Sequence, residues 1–422
     1  MSNYSNLEKG ISALISKFPK LKNFAKKTYQ GFNLLLYKKK YLYKSKYTIT
    51  EIDNTNKSSF FGYYDKSPEN DDGSKVLYYR TSLNTKKKPS PNHSIEIILK
   101  CLESGIISLI DETYSYNWQQ GAKMMWLSND KFIYNVYSEH LNKYQSKIYN
   151  IQTKEFEIID WPIYDCYKDE YALGLNFNKL RDLRPDYGYR NLDAYPDYND
   201  YSKDGIYKVS LQNNSYSLLI SLKELIDIEY LDTMKDSKHK VNHIMISPDG
   251  RNFMFMHRWH LKSGVKYDRL LILDSLGMNL KIISDEGGIS HCCWKDNETV
   301  IGYLTHKGKF DFYEINILNG EISSISEKLQ NLGDGHPTFN KNKMLFDSYP
   351  NRSRNKNLFI YNFDNDEVIS LGKFYEALSF YNESRCDLHP RFSSDFSAIY
   401  FDSVHLGLRK LYKLNLNFME HL

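Results

Sequence analysis

Cysteine is scarce in this 422-residue chain and poorly placed for a framework. The five residues are Cys101, Cys166, Cys292, Cys293 and Cys386; two are adjacent and none forms a C-x-x-C pair. A disulfide scaffold and a zinc knuckle are thereby excluded, and free thiols in a reducing compartment are expected. Long apolar runs are missing too: nothing approaches the roughly 20 residues that a spanning helix needs. The apolar stretch at Ile11–Ile15 is short and followed by Lys17, a poor signal peptide, so the sequence reads as cytoplasmic. No G-x-S-x-G, Walker or Rossmann pattern is present, which removes the serine hydrolases of that type and the nucleotide-binding folds. Acidic residues are nearly absent from one place only. Residues 1–46 carry eleven lysines and a single acid, Glu8, a net +10; since the whole chain sums to +4, the remainder carries −6.

Two segments follow from that asymmetry: a basic arm over 1–46 and a body over 47–422. In the arm, Leu14, Ile15, Phe18, Leu21, Phe24 and Ala25 recur at helical spacing with lysines between them, and Pro19 should start a second helix or kink the first. A second apolar group, Phe32 and Leu34 to Tyr37, precedes Lys38, Lys39 and Lys40. A basic amphipathic helix of this kind suits the interface of an anionic membrane, through residues 11–43, or docking on the protein's own body or on another protein. A peripheral position on the inner face of a membrane is therefore an expectation for localisation. No nucleic-acid partner is expected.

The body has a strand composition. Aromatic residues make up 15% of the chain, with 36 tyrosines against 10 methionines. Short strand patterns such as KVLYYRT, KFIYNVY, NFMFMHR and KMLFDSY alternate with turn signals, including Ser-Pro-Asp-Gly at 247–250 and Asn-Gly at 319–320. A short motif precedes each strand, and its anchor falls at Gly62, Gln120, Tyr171, His243, His291, His336 and His389, at spacings of 58, 51, 72, 48, 45 and 53 residues. That period predicts an all-β, seven-bladed propeller of four-stranded blades, with a Tyr/Asp-rich insertion at 176–203 lying on one face.

Anchors at one phase of a propeller converge on the channel. His243, His291, His336 and His389 should therefore meet at its mouth, with Tyr63 and Gln119 or Gln120. Neutral imidazoles gathered at one point suit a divalent metal or proton abstraction. Arg258, Arg269, Arg385 and Arg391 surround the motifs, and guanidinium groups grip carboxylates in bidentate fashion, so an acidic sugar is the expected ligand. About half of these arginines are instead expected to pair with Asp65, Asp268, Asp347 and Asp402.

The ordered series HIMISPDG, HRWHLKSGVKYDR, SHCCW, GHPTF and LHPRFSSD, over residues 239–405, resembles the oligogalacturonate lyase family, seven-bladed propellers that cleave uronate oligosaccharides by β-elimination. The resemblance implies that His291, with Trp294, is the base for the C5 proton and that Arg269 assists by holding the uronate carboxylate. It further implies Mn²⁺ or another divalent metal at His336 and His389. Asp387 stands where the family has a further histidine, and Ser384 roughly where it has a glutamine. Substrate contacts are expected from Tyr63, Gln120, His243, Arg258, Arg385 and Arg391. Three functions remain open at this level: a lyase or epimerase on an acidic oligo- or polysaccharide, a non-catalytic glycan- or protein-binding propeller in surface-polysaccharide assembly, and a glycosyl-transfer or hydrolytic enzyme.

Overall fold

The computed structural model describes residues 19–193 and 200–416, with the backbone alone for 19–27. The remainder of the arm, residues 1–18, and part of the insertion, 194–199, lie outside the described residues. Seven antiparallel sheets follow one another along the chain, one per blade. From blade 1 to blade 7 their innermost strands are Ser58–Phe60, Met125–Trp126, Asp165–Tyr167, Lys238–Ile246, Cys292–Trp294, Thr338–Asn340 and Arg391–Phe392. The strand Ile49–Glu51 closes the ring: it pairs antiparallel with Lys410–Asn415 as the outermost strand of blade 7, so the two ends of the body share one sheet. Closure of this kind removes an open junction at which the ring could part.

Second strands explain the core. Lys75–Thr81 buries Val76, Leu77, Tyr78 and Tyr79 in succession, and Asn252–His260 buries Phe253 through His257. Alternation is lost there because each blade is covered on both faces by its neighbours. Polar devices tie the blades together. Asp402 accepts the backbone N–H of Phe61 and Gly62 at 3.0 Å each, joining blade 7 to blade 1. Asn135, Asp165 and Asp268 likewise accept the N–H of Ile163, Ile246 and Ile289 from the following blade at 2.8, 2.8 and 3.0 Å.

The third blade corrects one anchor. Tyr171 begins the second strand, Tyr171–Gly174, and the residue entering the innermost strand is Tyr164. The insertion lengthened this repeat and displaced the apparent phase. It contains the helix α2 (Phe177–Leu183), capped by Asn176, whose side chain accepts from the N–H of Asn178 and Lys179. It drives Phe177, Leu180, Tyr187 and Tyr189 into the largest apolar cluster among the described residues. A third helix, α3 (Leu222–Asp227), begins in a reciprocal capping box between Ser221 and Glu224.

The arm forms helix α1 (Pro19–Tyr37). It is followed by a short strand, Tyr43–Lys44, that pairs with Phe374 and Lys373 at the outer edge of blade 6. The stretch assigned to the arm thus ends inside a sheet of the propeller. All five cysteines are free thiols. Among the described residues, no helix is long and apolar enough to cross a membrane.

Candidate functional site

The four histidines meet as their phase requires. Ring centroids are 6.3 Å apart for His243 and His291, 4.0 Å for His291 and His336, and 4.3 Å for His336 and His389. Tyr63 lies at their centre, 4.9 Å from the ring of His389 and with its hydroxyl 2.9 Å from His243 Nδ1. Two of these histidines, His243 and His389, hold left-handed backbone, at φ of 55° and 44°. For side chains with a Cβ that conformation is costly and persists only where the surroundings impose it.

His291 is oriented by an acid that the motif analysis passed over. Its Nδ1 lies 2.9 Å from Asp334 Oδ1, and Ser290 Oγ donates to the other carboxylate oxygen at 2.5 Å. A proton on Nδ1 donated to Asp334 leaves Nε2 as the basic nitrogen. Burial, and then the charge of neighbouring His336, holds His291 below the ordinary histidine value, so its imidazole is neutral at physiological pH. Asp334 stands two residues before His336 in GDGHPTF; the signal was there, but an aspartate in a Gly-rich turn reads as turn chemistry.

His336 and His389 share Asp347. One carboxylate oxygen accepts the His336 backbone N–H and lies 2.8 Å from its Nδ1; the other accepts from the N–H of Leu388 and His389 at 3.0 and 3.2 Å. Gly335 makes this approach possible, since a Cβ there would fall 1.7 Å from the carbonyl oxygen of Asp347. The Nε2 atoms of both His336 and His389 are buried and without a hydrogen-bond partner. Together with Asp387, they offer ligand atoms within 4.8 Å of one another. Two orphaned imidazole nitrogens beside a carboxylate fit a divalent ion of borderline hardness. Asp387 is also engaged elsewhere: Lys356 Nζ donates to it at 2.9 Å and Arg385 Nε at 2.7 Å. Burial alone would raise its carboxyl, but Lys356 and Arg385 hold it well below the usual range. Ser384 does not stand in for a glutamine ligand, because its hydroxyl donates to the carbonyl of Tyr381 at 2.9 Å.

A cavity of about 220 Å³ opens beside the histidines, lined by His243, His291, Ser290, Tyr349 and a basic wall that includes Arg184, Lys240 and Arg258. Lys240 is buried, and its amine donates to the carbonyl of Leu183 at 3.2 Å. Burial and the nearby Arg258 charge depress its pKa strongly. Arg258 faces Asp268 at 3.8 Å and donates to the carbonyl of Ile289 at 2.7 Å. Arg184 and Tyr187 come from the insertion, whose function no motif announced.

Several expected contacts are corrected by these positions. Arg269 does not line the cavity: it donates to the carbonyl of Ile228 at 3.1 Å and to that of Leu225, closing the C-terminal end of α3, with its Nε 3.3 Å from His257 Nδ1. Arg391 is spent on the carbonyls of Tyr63 and Gly62 and on Asp402. Arg385 is held between Asp387 and Asp186, the latter at 2.6 Å. In each case the guanidinium, buried in Arg269 and Arg391 and partly buried in Arg385, is already engaged by carbonyls or carboxylates of the protein. Gln120 donates to the Tyr164 hydroxyl at 3.0 Å, and Tyr63 bonds His243, so both brace the hub beneath the cavity. Of the six residues expected to contact substrate, His243 and Arg258 line the cavity. The expected pairing of arginines with acids holds for Arg391–Asp402 and Arg258–Asp268, whereas Asp65 pairs with Lys123 and Asp347 with His336.

No protein-family model matches the chain, and no curated protein matches it. Solved structures do. An oligogalacturonate lyase in complex with manganese is 14% identical, with a TM-score of 0.63, over 89% of this chain and 95% of the other. An oligogalacturonate lyase from Vibrio parahaemolyticus is 13% identical, with a TM-score of 0.62, over 89% of this chain and 97% of the other. The chain therefore has the seven-bladed propeller fold seen in these oligogalacturonate lyases, at low sequence identity to them.

Proposed function

We propose that the protein is a carbohydrate-active propeller that takes a uronate-containing oligo- or polysaccharide into the basic cavity and removes the C5 proton. His291 is the base. The observation that carries this reading is the pairing of His291 with Asp334 at the edge of a cavity whose other wall is cationic. Arg258, and not Arg269, holds the uronate carboxylate, with Lys240 beside it. Neutralising that carboxylate acidifies the C5–H. Nε2 of His291 takes the proton, the C5–H electron pair forms the C4–C5 double bond, and the C4–O glycosidic bond breaks with its electrons on the leaving oxygen. Return of a proton to the opposite face of C5 instead gives epimerisation. His336 and His389, with Asp387 as third donor, would hold Mn²⁺ or a similar ion, which as a Lewis acid polarises carboxylate oxygens.

The test is incubation with a panel of uronate oligosaccharides and Mn²⁺ in D₂O. Far-UV absorbance reports the unsaturated product, and NMR reports deuterium at C5. Either signal, lost in His291→Ala, supports the reading. Binding without either signal across the panel refutes proton abstraction and leaves a glycan-binding propeller.

A further inference from the structure

The last turns of helix α1, residues 28–37, carry apolar side chains that do not pack on the propeller. Asn33 is buried, whereas Phe32, Leu35 and Leu36 are 60%, 84% and 60% exposed. Those three lie at i, i+3 and i+4, a single stripe on the last turns of a helix that ends at Tyr37. The stripe does not end with the helix: Leu42 and Tyr43 are exposed as well, and Lys38, Lys39, Lys40, Lys44 and Lys46 stand exposed among and beside them. Exposed apolar side chains gathered in one stretch mark an interaction surface, while scattered ones do not.

The stretch is also fixed in place. Tyr43–Lys44 is a strand of blade 6, the N–H of Tyr375 donates to the carbonyl of Leu42 at 2.9 Å, and the guanidinium of Arg352 lies 5.8 Å from the Tyr37 ring centroid. Arg352 belongs to the loop that carries Tyr349 into the cavity wall. The helix therefore leaves the propeller on the rim around the cavity.

We infer that residues Phe32 to Lys46 are an interfacial anchor that lays the propeller, cavity rim first, on an anionic lipid bilayer. Charge complementarity selects this occupant. The arm carries eleven lysines and one acid, and no acid lies between Lys9 and Lys46. Lysine ammoniums at the edges of an apolar stripe reach the headgroup phosphates while Phe32, Leu35 and Leu36 enter the acyl boundary. The inference does not depend on the chemistry of the cavity.

The experiment uses the full chain and sedimentation with vesicles of 30% phosphatidylglycerol in phosphatidylcholine, against pure phosphatidylcholine. Binding is expected only to the anionic vesicles and should weaken with salt. Replacing three lysines (K38Q, K39Q and K40Q together) should weaken it on the order of 100-fold, at the fivefold or so that each lysine contributes near such a surface. L35Q with L36Q should weaken it by roughly 100-fold also, from the loss of two buried leucines. Both variants change exposed residues, and an unchanged thermal midpoint would confirm that the fold survives. Absence of binding by the intact chain, or binding unaltered by both variants, overturns the inference. Concentration-dependent dimerisation that L35Q/L36Q abolishes, with no vesicle binding, would assign the stripe to a second copy and overturn it equally.

Discussion

Replacing Asp347 by asparagine should damage stability and metal affinity together, because one carboxylate serves two blades. Its Oδ1 receives the backbone and imidazole N–H of His336; its Oδ2 receives the N–H of Leu388 and His389. Asparagine keeps one acceptor oxygen and sets an NH₂ where the other stood. In either amide orientation, two buried N–H donors then face a donor. Each stranded donor costs about 1–3 kcal/mol, so the expected loss is about 4 kcal/mol. That is a large part of the 5–15 kcal/mol typical of a folded protein. Urea unfolding followed by tryptophan fluorescence reads it as a lowered midpoint. A neutral amide holds the Nδ1 proton of His336 less firmly than a carboxylate in either orientation, so the tautomer is less fixed and Mn²⁺ affinity measured by calorimetry should fall roughly 10- to 100-fold. A stability loss under about 1 kcal/mol would refute the account of the shared carboxylate. Unchanged Mn²⁺ affinity in a folded variant would refute its role behind His336.

Other outcomes follow from the same geometry. Arg258→Met should weaken binding of a uronate at least tenfold while Arg269→Met leaves binding unchanged; calorimetry with galacturonate oligomers checks both. Arg269→Met should instead cost about 2–4 kcal/mol in urea unfolding, since the carbonyls at the end of α3 lose a charged donor. Lys356→Met takes one charged donor from each of the buried carboxylates Glu376 and Asp387, which keep Arg354 and Arg385, and should cost roughly 3–6 kcal/mol by the same measurement, at about 1.5–3 kcal/mol for each charged hydrogen bond. Stability should fall as pH drops from about 6.5 toward 4. Burial lowers His239 and His405 to about 4. The unfolded chain protonates such groups first, near pH 6.5, so their contribution is complete above that pH and lost as pH falls through the folded values. A thermal midpoint that is flat between pH 7 and 4.5 would contradict it.

Periodicity carried most of the fold. Seven motifs at a recurring interval dictate seven blades, because each four-stranded sheet must cover its neighbours, and equal phase dictates that His243, His291, His336 and His389 converge. A helix in the arm was legible from apolar residues at helical spacing among lysines, and Pro19 begins it; the side chains of the residues that carried the spacing, Leu14 to Ala25, lie outside the described ones. The failures have one physical cause. Arginine type and motif proximity say nothing of which carbonyls or carboxylates a buried guanidinium will meet, and Arg269, Arg385 and Arg391 each met them within the protein. The insertion likewise gave no phase, so Tyr164 was missed as an anchor, and Arg184 was missed at the cavity wall. Asp334 and Asp347 resembled turn and strand-end residues until the ring closed around the histidines. Sequence determined the propeller, its histidine hub and the basic arm, since these depend on pattern along the chain. Only tertiary structure decided which nitrogens of His336 and His389 are free, which cations face the cavity and that Phe32, Leu35 and Leu36 stand exposed, since these depend on partners brought together from different blades.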